Sequence, residues 1–126
     1  MNLIIGSHVS YNNKSQLLGS VKEALSYKAN TFMFYTGAPQ NTNRSVIEDS
    51  LTMEAYKLMK ENNIALEKVI VHAPYIVNLA NFNNFDFSVS FLINEVERCS
   101  TLGIKYLVLH VVSEVICFRV VVMITS

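Results

Sequence analysis

No excess of charge of either sign runs through this chain: ten lysines and arginines balance ten aspartates and glutamates, and the sequence pI is near 6.8. That balance argues against a module that holds nucleic acid by bulk positive charge. A local phosphate site built on metal ions is still open, because such ions bring their own charge. Charged residues are few as well, 16% against 51% hydrophobic, a composition that argues against disorder. Cysteine is scarce: Cys99 and Cys117 form neither a Cys-x-x-Cys pair nor a metal-binding spacing. Cys99 falls on the apolar side of a predicted helix, where a thiol is inert packing. The opening Met1-Asn2-Leu3-Ile4-Ile5-Gly6 lacks the basic and long apolar regions of a signal peptide, so a reducing cytoplasm is the expected location. At 126 residues the chain is long enough for one domain with a core and too short for two.

There are only three histidines, and each follows a predicted strand. Val69-Ile70-Val71 runs into His72, and Pro74 then forbids regular continuation. Leu3-Ile4-Ile5 leads through Gly6-Ser7 to His8, and Tyr106-Leu107-Val108-Leu109 leads to His110. A lone histidine at a strand end is ordinarily a satisfied core residue. Three at equivalent positions read as one mouth, since α/β folds place their chemistry at the carboxyl tips of strands.

The rest of the chain supports that architecture. Leu17, Leu18, Val21, Ala24 and Leu25 form a helical stripe over about 15–27, with Ser15 as the expected N-cap. Thr31–Tyr35 reads as the second strand, closed by a polar loop from Thr36 to Arg44. Leu51, Ala55, Leu58 and Met59 mark a second helix, broken at Asn62-Asn63. A third helix is expected over about 87–102, with Val89, Leu92, Val96, Cys99 and Leu102 on one face and Gly103 as its C′ residue. The fourth strand is expected over 105–109. Strand, loop and helix thus alternate, which predicts a parallel sheet covered by helices.

After His110 the character changes. Eleven of residues 111–126 are apolar, with no helical stripe, and Glu114 and Arg119 interrupt the run. The segment falls short of the ~20 residues that a membrane span needs. Read as a strand, it predicts an exposed and sticky edge.

Four segments together resemble the amino-terminal part of the endonuclease IV family, the metal-dependent apurinic/apyrimidinic (AP) endonucleases of base-excision repair. They are Ile5-Gly6-Ser7-His8-Val9-Ser10, Phe34-Tyr35-Thr36-Gly37-Ala38-Pro39-Gln40-Asn41-Thr42, His72-Ala73-Pro74-Tyr75-Ile76-Val77-Asn78-Leu79 and Leu107-Val108-Leu109-His110. The third is the most specific, and Gly-Ser-His-Val-Ser alone is weak. The resemblance implies a (β/α)8 TIM barrel, of which this chain covers about the first four strands, with three zinc ions at the carboxyl face of the complete site. It implies cleavage of the phosphodiester 5′ to an abasic site in double-stranded DNA.

By position, the resemblance makes His72 and His110 zinc ligands, two of the set that a complete site needs. Neutral imidazoles suit Zn²⁺ and leave its charge free to acidify water. His8 lines the same mouth without an assigned metal role. Gln40 occupies a position from which a side chain is expected to enter DNA at the lesion, Asn41 lies beside it, and Tyr75 resembles a tyrosine that packs near the abasic nucleotide. An abasic site lacks one base's stacking, so wedging and flipping cost less there. Lys14 and Arg44 are candidate phosphate contacts, although single basic residues are usually solvated surface.

The resemblance stops at His110. The family continues there with a Pro-Gly turn and another histidine, whereas this chain has Val111-Val112-Ser113-Glu114. A complete barrel takes ~250 residues. Residues 1–110 are therefore read as the barrel part and 111–126 as an unmatched tail, expected to be out-of-frame translation rather than a half-barrel completed by a second copy. Glu114 is not expected to bridge metals. The chain alone is expected to be poorly soluble and inactive. The alternatives are a non-catalytic remnant, a DNA-binding fragment, or a sugar-isomerase-like metal barrel. The isomerase reading leaves the segment from Tyr35 to Thr42 unexplained.

Overall fold

The structure, a computed structural model, describes residues 3–112 and 117–124. Strands β1 (Gly6–His8), β2 (Thr31–Phe34), β3 (Ile70–His72) and β4 (Tyr106–Val112) pair in parallel in sequence order, and β5 (Cys117–Met123) pairs antiparallel with β4. Helices α1 (Gln16–Ser26), α2 (Asp49–Glu61) and α3 (Phe85–Thr101) fill the crossovers. The expected alternation of strand and helix is the observed one.

Alternation along the strands separates two faces. Phe32, Phe34, Val71, Leu107 and Leu109 are buried beneath the helices, where they join Leu17, Val21, Met59, Cys99 and Leu102 in the core. The intervening residues Met33, Ile70, His72, Val108 and His110 are only half-buried. Four parallel strands do not curl into a closed tube, so the face that a barrel turns inward stays open. The expectation of a sheet covered by helices holds on one face only.

Helix ends follow local chemistry. Ser15 occupies the N-cap position of α1, but its side chain caps nothing. Asn12 organises the turn instead: its Oδ1 accepts from the amides of Lys14 and Ser15 and from the Ser15 hydroxyl. Gly103 ends α3 as expected, at φ +73°, with its amide donating to Ser100 O.

Three expectations need correction. The first strand lies at Gly6–His8, not at residues 3–5, and Leu3, Ile4 and Ile5 are 62, 49 and 59% exposed. They run along the open edge of the sheet, held by Asn30, which accepts from the Ile5 amide at 2.7 Å and donates to Leu3 O at 2.8 Å. The buried stripe of α3 is also rotated. Ser88, Phe91, Glu95, Arg98 and Cys99 face inward, while Val89, Leu92 and Val96 are half-buried. Finally, β4 does not stop before His110 but runs on to Val112, because β5 supplies antiparallel partners along its whole length. The tail thus contributes a sheet strand, with Val120, Val121 and Met123 exposed on it. Glu114 lies outside the described residues.

Candidate active-site mouth

Register explains why residues far apart in sequence meet at one mouth. Partners in a parallel pair share a face, and so do residues two apart on a strand. His8 pairs with Met33, so Tyr35, two residues on, continues the same face. His72 pairs with Val108, so His110 does likewise. The result is a row of rings: His8 to Tyr35 at 4.7 Å between centroids, Tyr35 to His72 at 5.2 Å, and His72 to His110 at 5.0 Å with planes 23° apart. The three histidines and Tyr35 thus fall in one row on one face of the sheet. His110 reaches it from within β4 rather than from its end, because the face and not the strand terminus sets its direction.

The His72 ring is oriented by its own backbone. Nδ1 lies 2.6 Å from Ala73 O, and a carbonyl can only accept, so the proton sits on Nδ1 and Nε2 keeps the lone pair. Ala73 is itself held by its amide, which donates to Val108 O at 2.8 Å. At His8, burial lowers the pKa below its ordinary value, and the neighbouring His72 adds to that. The Val9 backbone and Glu23 oppose it.

A cleft of about 310 Å³ opens beside the imidazole pair, lined by His72, Pro74, Tyr75, Val77, Asn78 and His110. Tyr75 stands 68% exposed at its rim, while Val77 pins the loop into the core. A second cleft of about 300 Å³ lies between His8, Ser10, Tyr11, Tyr35 and Pro39. Gln40 projects into solvent beyond it. Asn41 is half-buried, and its Oδ1 accepts from the Asn43 amide at 3.0 Å.

Two imidazoles in this arrangement suit Zn²⁺ as part of a ligand set, but zinc takes four ligands. No group of three or more His, Cys, Asp or Glu side chains able to hold a metal occurs among the described residues. Among the described residues, His72 and His110 would fill two positions of a zinc site and not a closed one.

Lys14 is exposed, but Arg44 is neither solvated nor free for a phosphate. Its side chain is 5% exposed, and Nε donates to Glu95 Oε1 at 2.7 Å. Around it lies a polar cluster that sequence reasoning missed: Thr36, Glu95 and Arg98. A signal was present, because Glu95 and Arg98 sit four and seven residues after Phe91, on its helical face. Two charges on a buried face must pair.

The fold and this mouth define a protein of the (β/α)8-barrel class, present here as about half a barrel. Endonuclease IV from Thermus thermophilus shares the fold with a TM-score of 0.69 at 24% identity, over 82% of this chain and 39% of that one. No protein-family model matches the chain. A Mesoplasma florum protein named probable endonuclease 4 is 51% identical over 114 residues, taking in 85% of this chain and 39% of that protein. A Bacillus subtilis protein of the same name is 54% identical over 112 residues, taking in 86% of this chain and 37% of that protein. The chain is thus a partial match to the endonuclease IV family. It spans under two-fifths of the length of these relatives.

Proposed function

We propose that this chain carries the first half of the mouth of a zinc-dependent AP endonuclease, an enzyme that cleaves DNA 5′ to abasic sites in base-excision repair. The observation that carries the reading is the His72–His110 pair, stacked at 5.0 Å beside a cleft whose rim holds Tyr75. His72 offers Nε2 as a ligand nitrogen, and His110 is the second ligand. When bound, zinc polarises a phosphoryl oxygen and lowers the pKa of water. Gln40 enters the duplex at the lesion with Asn41 beside it, Tyr75 packs against the abasic nucleotide, and His8 lines the mouth without a metal role.

Residues 1–110 form the barrel part, and 111–126 are not part of the family pattern. The relatives match 85–86% of the chain, about the share that residues 3–110 make up. With two zinc ligands and an open face, the chain by itself is inactive, and double-stranded DNA with abasic sites is its partner only when the mouth is complete.

The test replaces everything after His110 with the corresponding segment of the Bacillus subtilis relative. The chimera is expected to nick an abasic duplex 5′ to the lesion, with loss of nicking in EDTA and in His72→Ala. A folded chimera that leaves the duplex intact overturns the reading. Chelator-sensitive nicking by the unaltered 126-residue chain overturns the claim that it is inactive alone.

A further inference from the structure

We propose that Arg44, Glu95 and Arg98 are positioning residues: a buried clamp that presets the loop bearing Gln40 and Asn41. The segment between β2 and α2 is long and has no regular structure over 41–48. Loops of that length are functional or disordered, and their backbone polar groups need partners. Here two guanidiniums supply them. Arg44 Nη1 donates to the carbonyls of Ala38, Asn41 and Asn43 at 3.2, 3.2 and 2.8 Å. Arg98 ties both ends together, through Nη2 to Thr36 O at 2.8 Å and Nη1 to Ser45 O at 2.6 Å.

Glu95 meets Arg44 directly and Arg98 through the Thr36 hydroxyl. Glu95 is fully buried on α3, accepts from Arg44 Nε at 2.7 Å, and takes the Thr36 hydroxyl on its other oxygen at 2.8 Å. Arg98 Nε donates to that same hydroxyl at 3.0 Å. Arg44 Nη2 has no acceptor among the described residues, and the guanidinium lies 4.9 Å over the Phe91 ring. Gly37 is part of the device. A Cβ there would stand 2.7 Å from Arg44 Cδ and Nη1, so only glycine lets the side chain pass beneath the loop.

The clamp holds the backbone around Gln40 in one shape while leaving that side chain exposed. A loop ordered before contact loses less entropy on binding, which is the physical value of the arrangement. The link from loop to DNA rests on the function proposed above. The link from clamp to loop does not.

The experiment measures amide hydrogen exchange of the full chain, peptide by peptide, for the parent, Glu95→Gln and Gly37→Ala. Gly37→Ala shifts Arg44 while keeping every charged side chain of the cluster, so it remains informative where Glu95→Gln fails to fold. Exchange over 36–47 is expected to rise about tenfold in both variants while α1 and α2 keep parental protection. Faster exchange throughout makes the cluster an ordinary support of the fold and overturns the proposal, as does unchanged exchange in 36–47. Binding to a duplex carrying a tetrahydrofuran abasic analogue, against an intact duplex, is measured on the chimera completed beyond His110, with and without the same substitutions, and preference for the lesion is expected to fall about tenfold with the clamp broken. Where the unsubstituted chimera shows no preference at all, the DNA reading of the loop fails and the exchange data alone decide the clamp.

Discussion

His72 and His110 stack face to face, centroids 5.0 Å apart, although thirty-eight positions separate them in the chain. Their closeness follows from register: His72 stands opposite Val108, and His110 is the next residue of β4 on that face. The Ala73 carbonyl holds the His72 proton on Nδ1, so metal binding needs no tautomer change. His72→Ala and His110→Ala are each expected to lower Zn²⁺ affinity by at least about tenfold, and the double variant to abolish it. Equilibrium dialysis against limiting zinc reads this directly. Retention of zinc by the double variant would place the metal elsewhere. Retention of three ions by the parent would show a closed site that two imidazoles do not account for.

Cys99 is fully buried, and burial pushes its thiol up to about 12 from an ordinary 9.0, with Glu95 adding to the rise. The folded state therefore keeps a proton that the unfolded chain releases near pH 9, and stability falls as pH rises from there toward 12, by up to about 1.4 kcal/mol per pH unit. Denaturant titrations from pH 8 to 11 are expected to show a shallower decline for Cys99→Ala than for the parent. At pH 8, iodoacetamide is expected to spare Cys99 in the native chain and to modify it in urea, as read by peptide mass.

Gly6 allows β1 and β2 to close. A Cβ at that position would lie 2.1 Å from the carbonyl oxygen of Thr31, a backbone atom that cannot swing aside. Gly6→Ala is expected to cost about 2–3 kcal/mol and to free the edge strand, the larger effect being at β1. Urea unfolding gives the energy, and hydrogen exchange at the Val9 amide, which donates to Met33 O, shows where the strand detaches.

Tyr75 separates a role in binding from a role in the fold. Its ring is 68% exposed, so Tyr75→Ala is expected to change stability by less than about 0.5 kcal/mol. The same change is expected to weaken binding of the completed barrel to an abasic duplex, measured by fluorescence anisotropy. A large loss of stability would make the ring a packing element.

Val121 stands exposed on β5, on the open face of the sheet opposite Val108. Such an edge pairs with other chains unless it is charged. Val121→Lys is expected to reduce self-association, followed by light scattering, without lowering the unfolding midpoint. Equal aggregation in both chains would place the sticky surface elsewhere, with exposed Leu3, Ile4 and Ile5 the next to test.

Much of this molecule was decided by local sequence. Alternating apolar strands and amphipathic helices dictate a parallel sheet, because each pattern has one period that buries its face. Gly103 ends α3 because glycine tolerates positive φ, and Pro74 ends β3 because it has no amide to pair. The three strand-borne histidines were legible as well, although for His110 the face of β4 and not its end sets the direction. Other features arose only from packing. Leu3, Ile4 and Ile5 look like a buried strand but are exposed, since burial depends on neighbours that the open edge lacks. Cys117–Met123 became a strand because β4 presented an unpaired edge, which no periodicity within the segment could announce. Arg44 reads as solvated surface, yet it is buried against Glu95 fifty-one positions away. Charge in a sequence records what a side chain carries. Which charge it meets depends on how α3 rolls against β2, and that rotation belongs to the tertiary structure alone.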